Sequence, residues 1–249
     1  YGAAGEAHLM QLDSTWVIYY NESFGERLNL DTPYQLVRDG KWTLDKLYEL
    51  GMAVARDLDG DGKWGEGDQY GYCTWSSVGG QTLMTGSGAN LSVHKDADDM
   101  PVYDMNSDYY ITRLSRVTEI ISTDGFYNKL ATSDNNGGVE YFKAGRSLFY
   151  NETMGNAQKL RQMDIDFGII PGPKWDEAQE NYYTMADGSH QALAVPTTAS
   201  NIELIGAVTE VLNAESWKLV VPAYYDVALK VKATRDTESV EMLDLIMEG

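Results

Sequence analysis

Short apolar runs separated by longer stretches with helical spacing constrain this chain most. WVIYYN (16–21), DQYGYCTW (68–75), RSLFYNE (146–152) and DFGIIP (166–171) are rich in aromatic and β-branched residues and read as buried strands, with QALAVP (191–196) as a shorter one. GKWTLDKLYELGMAVARD reads as a helix: Thr43 is its N-cap, Asp45 sits in the first turn, and Leu44, Leu47, Gly51 and Val54 share a face. From Asp108, Ile111, Leu114, Val117 and Ile121 recur at helical spacing; VEYFKAG is a short helix ending at Gly145. NIELIGAVTEVLNAESW places Ile205, Val208 and Leu212 on one helical face, and the last helix, within 235–248, presents Val240, Leu243 and Met247. The first fifteen residues, the Pro33 segment and the glycine-rich VGGQTLMTGSGANL read as connections. Helices alternating with short apolar strands predict an α/β architecture.

At 249 residues and 43% hydrophobic, the chain can bury one large core or two small ones. Its formal net charge of −19 repels phosphate backbones, which argues against a nucleic-acid partner and against anionic membrane surfaces. Cys73 is the one cysteine, so no internal disulfide forms, and its apolar surroundings suit a buried small side chain. The three histidines, His8, His94 and His190, are too dispersed for a zinc site. Seventeen Tyr and six Trp stand against five Phe. Such rings suit either a core or a surface that touches sugars, with an apolar face and a polar handle.

DLDGDGKWGEGD (57–68) carries the most specific local pattern. Calcium takes six to eight hard oxygen ligands. Asp57, Asp59 and Asp61 fall at loop positions 1, 3 and 5, Gly62 permits the bend, and Lys63 offers a backbone carbonyl. Either Glu66 or Asp68 closes the ring of donors. The bland alternative is a solvated acidic turn, since Asp-Gly pairs favour turns. A strand follows where a calcium sensor would have a second helix, and no second loop exists, so the expected role of Ca2+ is to clip a connection. MTGSGANL lacks the third glycine of a dinucleotide fingerprint, and neither a nucleophile elbow nor a phosphate loop is present. Sequons occur at Asn21, Asn90 and Asn151. Glu140 and Glu152 are the pair a glycosidase reading would use.

Several segments together resemble the extracellular solute-binding proteins of ABC importers, the carbohydrate-type family related to maltose-binding protein. WVIYYNESFGERLNL, PYQLVRDGKWTLDKLYEL, DLDGDGKWGEGDQYGY, FKAGRSLFYNETMG, FGIIPGPKW and VPAYYDVALKVKATRDTESVEMLDLI follow the family's motifs in the family's order. The resemblance implies a type II periplasmic-binding-protein-like fold of two α/β lobes, here incomplete because family members are longer. Residues 10–180 would form most of the second lobe, and 185–249 would return to the first. It implies a non-enzymatic monomer at the bacterial cell surface, as a lipoprotein, or in the periplasm. This protein would capture a small ligand, a sugar or oligosaccharide, and deliver it to a permease. Ligand contacts are expected beyond strand ends, at Trp16, Trp75, Asn151, Glu152 and Tyr224. The rivals are a two-carboxylate carbohydrate hydrolase and a calcium-regulated interaction module.

Overall fold

The computed structural model describes residues 2–3, 9–75, 78–89, 93–131, 138–188, 192–231 and 234–248. In chain order the elements are β1 (Gly2–Ala3), α1 (Met10–Asp13), β2 (Trp16–Asn21), α2 (Glu22–Leu28), α3 (Pro33–Arg38), α4 (Leu44–Val54), β3 (Tyr70–Thr74), α5 (Gly79–Gly86), β4 (Val93–Lys95) and β5 (Pro101–Tyr103). There follow α6 (Asp108–Ser122), α7 (Val139–Lys143), β6 (Ser147–Thr153), α8 (Ala157–Leu160), β7 (Phe167–Ile170), β8 (Leu193–Ala194), α9 (Ile202–Glu215) and α10 (Thr237–Glu248). Two π-helical stretches, Ser216–Val220 and Ala223–Val231, carry the chain on from α9.

The central sheet has the order β3-β6-β2-β7. β3 runs parallel to β6, whereas β2 is antiparallel to both β6 and β7. Both faces are covered, which is why its strands read as unbroken apolar runs rather than alternating ones. Ile18, Tyr20, Tyr72 and Phe149 face α4 and the indole of Trp42, whose Nε1 donates to the Pro171 carbonyl at 2.9 Å. Val17, Tyr19, Cys73, Tyr150 and Phe167 meet Phe142 of α7, Leu160 of α8 and Leu243 of α10. Cys73 is fully buried, and burial pushes its thiol up to about 12.

The expected α4 is present, with the Thr43 hydroxyl accepting from Lys46 N at 3.3 Å. It approaches β3 so closely that a Cβ on Gly71 would lie 2.7 Å from the Gly51 backbone. Gly145, in the left-handed region at φ 67, ends the α7 segment as its sequence predicts.

Other segments differ from expectation. The Pro33 segment is not a loop: the Asn21 carboxamide caps α2, and Thr32 with Pro33 opens α3. The glycine-rich stretch contains α5, where glycine is needed because Cβ atoms on Gly79 and Gly86 would meet Thr74 Cγ2 at 2.3 Å and the Pro173 carbonyl at 2.8 Å. The first fifteen residues include α1 and β1, and β1 pairs with β8. On α6 Val117 and Ile120 are buried and Tyr110 and Ile121 pack against the core, while Ile111 and Leu114 are exposed. α9 forms as expected, yet no residue of it is buried. The buried face of α10 is Met242, Leu243 and Ile246, leaving Met247 exposed; this helix packs on β7. His8, His190 and the Asn90 sequon lie outside the described residues.

Candidate ligand-binding edge and calcium loop

The sheet's topology gathers chemistry at one edge. β3, β6 and β7 all end there and β2 begins there, as the pairs Thr74↔Asn151, Trp16↔Thr153 and Ile18↔Ile170 establish. Ligands of open α/β sheets bind outside the carboxyl ends of strands. At this edge stand Trp75 after β3, Asn151 and Glu152 closing β6, and Trp16 opening β2.

Glu152 is 4% exposed. The Trp75 indole N–H donates to its Oε2, the Thr153 amide donates to Oε1 at 2.8 Å, and the Tyr150 hydroxyl stands 3.4 Å from Oε2. Burial raises the Glu152 carboxyl above its ordinary range, against the pull of these donors. Asn151 turns the other way. Its Nδ2 donates to the Val17 carbonyl at 2.8 Å and its Oδ1 accepts from the Thr82 hydroxyl at 2.6 Å.

A second segment lies against the start of β2. Trp16 N donates to the Met185 carbonyl at 2.8 Å, Asp187 N to the Ser14 carbonyl at 2.8 Å, and the Thr184 hydroxyl to the Trp16 carbonyl at 2.6 Å. The Trp16 indole donates to Asp187 Oδ2 at 3.1 Å and its ring is 4% exposed. Tyr224 hydrogen-bonds the Asp13 carboxylate, which abuts Gly155 just beyond β6. Burial raises the Asp13 carboxyl. The structure thus brings Trp16, Trp75, Asn151 and Glu152 to one edge and joins Tyr224 to it through Asp13. Trp75 and Tyr224 are half-buried. Sequence reasoning missed Asp13 and Asp187; no local pattern marks them, because their roles come from contacts across 211 and 171 residues.

Glu140 does not join Glu152. It lies on α7, pairs with Lys143 at 3.2 Å, and borders a surface cavity with Glu66, Gly67 and Arg146, at the end of the sheet where β3 and β6 begin. Glu152 is five strand residues beyond Ser147, or about 17 Å further along β6. The carboxylates of a glycosidase stand about 5–9.5 Å apart, so the hydrolase pair read from the sequence is not assembled.

The acidic loop connects α4 to β3, its base closed by paired backbone bonds between Arg56 and Gln69 at 2.9 and 3.0 Å. Carboxylate oxygens of Asp57, Asp59 and Asp61 lie within 4.8 Å of one another. Asp57 accepts from the amides of Gly60 and Gly62, Asp59 from Asp61, and Asp61 from Lys63. Gly60 and Gly62 adopt φ of 72° and 77°. Asp68, 1% exposed, accepts from Leu58 N at 2.8 Å and Gly65 N at 2.7 Å, and these amides hold its carboxyl below the usual range. Against the pull of the Asp61 amide, desolvation and the charges of Asp61, Asp68 and Asp57 push Asp59 up. Crowded hard-oxygen donors fit a divalent cation of the calcium type. Lys63 and Glu66 are exposed, and the Glu66 carbonyl accepts from Arg146 at 2.7 Å.

No protein-family model matches the chain, and no curated protein matches it. Solved structures do. The chain is similar to the ABC substrate-binding protein Lmo0181 from Listeria monocytogenes in complex with cycloalternan, at 13% identity and TM-score 0.55, over 94% of this chain and 57% of that one. It is also similar to the maltose/maltodextrin-binding domain MalE from Bdellovibrio bacteriovorus bound to maltotriose (15%, 0.56, 94% and 58%) and to UspC of M. tuberculosis (13%, 0.57, 94% and 62%). This chain has the α/β fold of these proteins, as its motif order implies, and spans less than two thirds of their length.

Proposed function

We propose that this protein is a non-catalytic solute-binding protein that captures a sugar or oligosaccharide and presents it to an ABC transporter permease. One observation carries the reading. Strand ends bearing Trp75 and Glu152, and chain segments bearing Trp16, Asp187 and Tyr224, converge on a single edge of the sheet. An indole face beside a buried carboxylate suits a sugar ring, with its apolar face and its hydroxyls. The similar proteins named above include two whose structures hold cycloalternan or maltotriose.

In this reading residues 10–180 make up most of one lobe and 185–249 return to the other, with α10 reaching back to pack on β7. The protein works as a monomer outside the cytoplasm, in the periplasm or tethered at the cell surface as a lipoprotein. Asp57, Asp59 and Asp61, with the Lys63 carbonyl and Asp68 or Glu66, hold Ca2+. The ion neutralises crowded carboxylates and braces the turn from α4 to β3.

Titration with maltotriose, raffinose and other oligosaccharides, read by intrinsic Trp fluorescence with chromatography of the recovered sugar, tests the proposal. Saturable quenching with intact sugar supports it. Sugar cleavage, or no response to any carbohydrate, refutes it.

A further inference from the structure

The fold buries the stem of Lys174 and leaves its ammonium facing the Tyr182 ring, with no carboxylate of the described residues beside it. The residue is 4% exposed. Its backbone is fixed twice, the N–H donating to the Trp42 carbonyl at 3.0 Å and the carbonyl accepting from Leu44 N at 2.8 Å. The side chain runs past Tyr182, with Nζ 5.3 Å from the ring centroid, and ends beside Gly40. Among the described residues no carboxylate lies within ion-pairing distance of Nζ, and no acceptor takes a hydrogen bond from it.

The ammonium borders a cavity of about 300 Å3 shared with Val37, Gly40, Glu180, Asn181, Tyr182 and Leu245. Arg38 borders it too, but its guanidinium is taken by Glu238 at 2.9 Å and Glu241 at 2.7 Å. Gly40 keeps the floor open: it sits at φ +69, and a Cβ there would lie 3.2 Å from Nζ. The ammonium opens into this cavity, where the face of Tyr182 is the group that meets it. Its three donors call for acceptors from within the cavity.

We infer that Lys174 anchors a second ligand site, in the cavity between the end of α3, α10 and the 180–182 segment, that accepts one compact oxyanion, a carboxylate or a phosphate. It shares no residue with the indole-bearing edge and does not depend on the sugar-capture reading. Glu180 opposes the occupant, because its carboxylate shares the cavity wall, and so sets the affinity low.

Thermal unfolding of the intact protein in rising phosphate or acetate, with chloride holding ionic strength constant, tests the inference. The wild type should show a saturating rise in melting temperature with at least one anion, and the effective anion identifies the source. Glu180→Gln should tighten that response about two- to fivefold, the size of one exposed like-charge contact. Lys174→Met should abolish it, and if that variant does not fold, Lys174→Arg should keep it. In NMR spectra the same anion should shift the amides of Gly40 and Tyr182. No saturating response in the wild type, an equal response in Lys174→Met, or a Glu180→Gln response no tighter than wild type would each overturn the inference.

Discussion

Asn151→Ala separates holding the fold from holding a ligand. Asn151 is 3% exposed, and both ends of its carboxamide are taken, by the Val17 carbonyl at 2.8 Å and the Thr82 hydroxyl at 2.6 Å. Each bond contributes about 0.5–1.5 kcal/mol net, and a buried acceptor left without its donor costs about 1–3 kcal/mol. Adding the small void that alanine leaves, the variant should lose about 2–4 kcal/mol. With a urea slope of about 3 kcal/mol per molar, the midpoint should fall by about 1 M. Equilibrium denaturation followed by far-UV circular dichroism measures it, and calorimetric titration with the sugar found by fluorescence measures affinity on the folded protein. A midpoint within about 0.2 M of wild type, or a large loss of affinity at unchanged stability, would refute the reasoning and make Asn151 a ligand contact.

Calcium added to chelator-treated protein should raise the melting temperature, Asp59→Asn should weaken that response, and sugar preference should stay the same; a changed preference would contradict a structural role. Burial raises the folded pKa of Glu152 above its unfolded value near 4.3. Its stability contribution is therefore complete below the unfolded pKa and is lost as pH rises through the folded one, so wild-type stability relative to Glu152→Gln should fall with pH across that window. A flat difference would sink the assignment. Gly71→Ala should cost about 1–3 kcal/mol or more in denaturation, because its Cβ has only the Gly51 backbone to meet. Leu204→Glu with Val211→Glu on α9 should change stability by under about 0.5 kcal/mol each and reduce binding of an apolar dye; a loss of several kcal/mol would mean this face is packed.

Much of the fold was legible where the cause is local. Thr43 caps α4, Gly145 ends the α7 segment, and β-branched and aromatic runs mark β2, β3, β6 and β7. The Pro33 segment was misread although its caps, Asn21 and Thr32, were in plain view, because two helices of seven and six residues carry too few turns to show a period. At the proposed site, the strand reading placed Trp75 and Glu152 at one end of the sheet, where the pairing of β3 with β6 puts them. It could not distinguish Asn151, turned into the core, from its neighbour, because successive residues of a strand face opposite ways. Asp13 and Asp187 were invisible, since their roles arise where distant segments meet. The helical spacing of α9 predicted a face but not what would cover it.

The position of β2 has a consequence for how the protein comes to be folded. Asn151, whose side chain reaches Val17, is 134 residues downstream, and Thr184, which bonds Trp16, is 168 residues downstream. WVIYYN therefore leaves the ribosome long before either neighbouring strand exists. Until β6 and β7 arrive it is an apolar, β-prone segment with both edges open, the kind that pairs with other chains. Such distant pairings fold slowly. The open edges of this one segment are therefore where the nascent chain is most prone to pair with other chains.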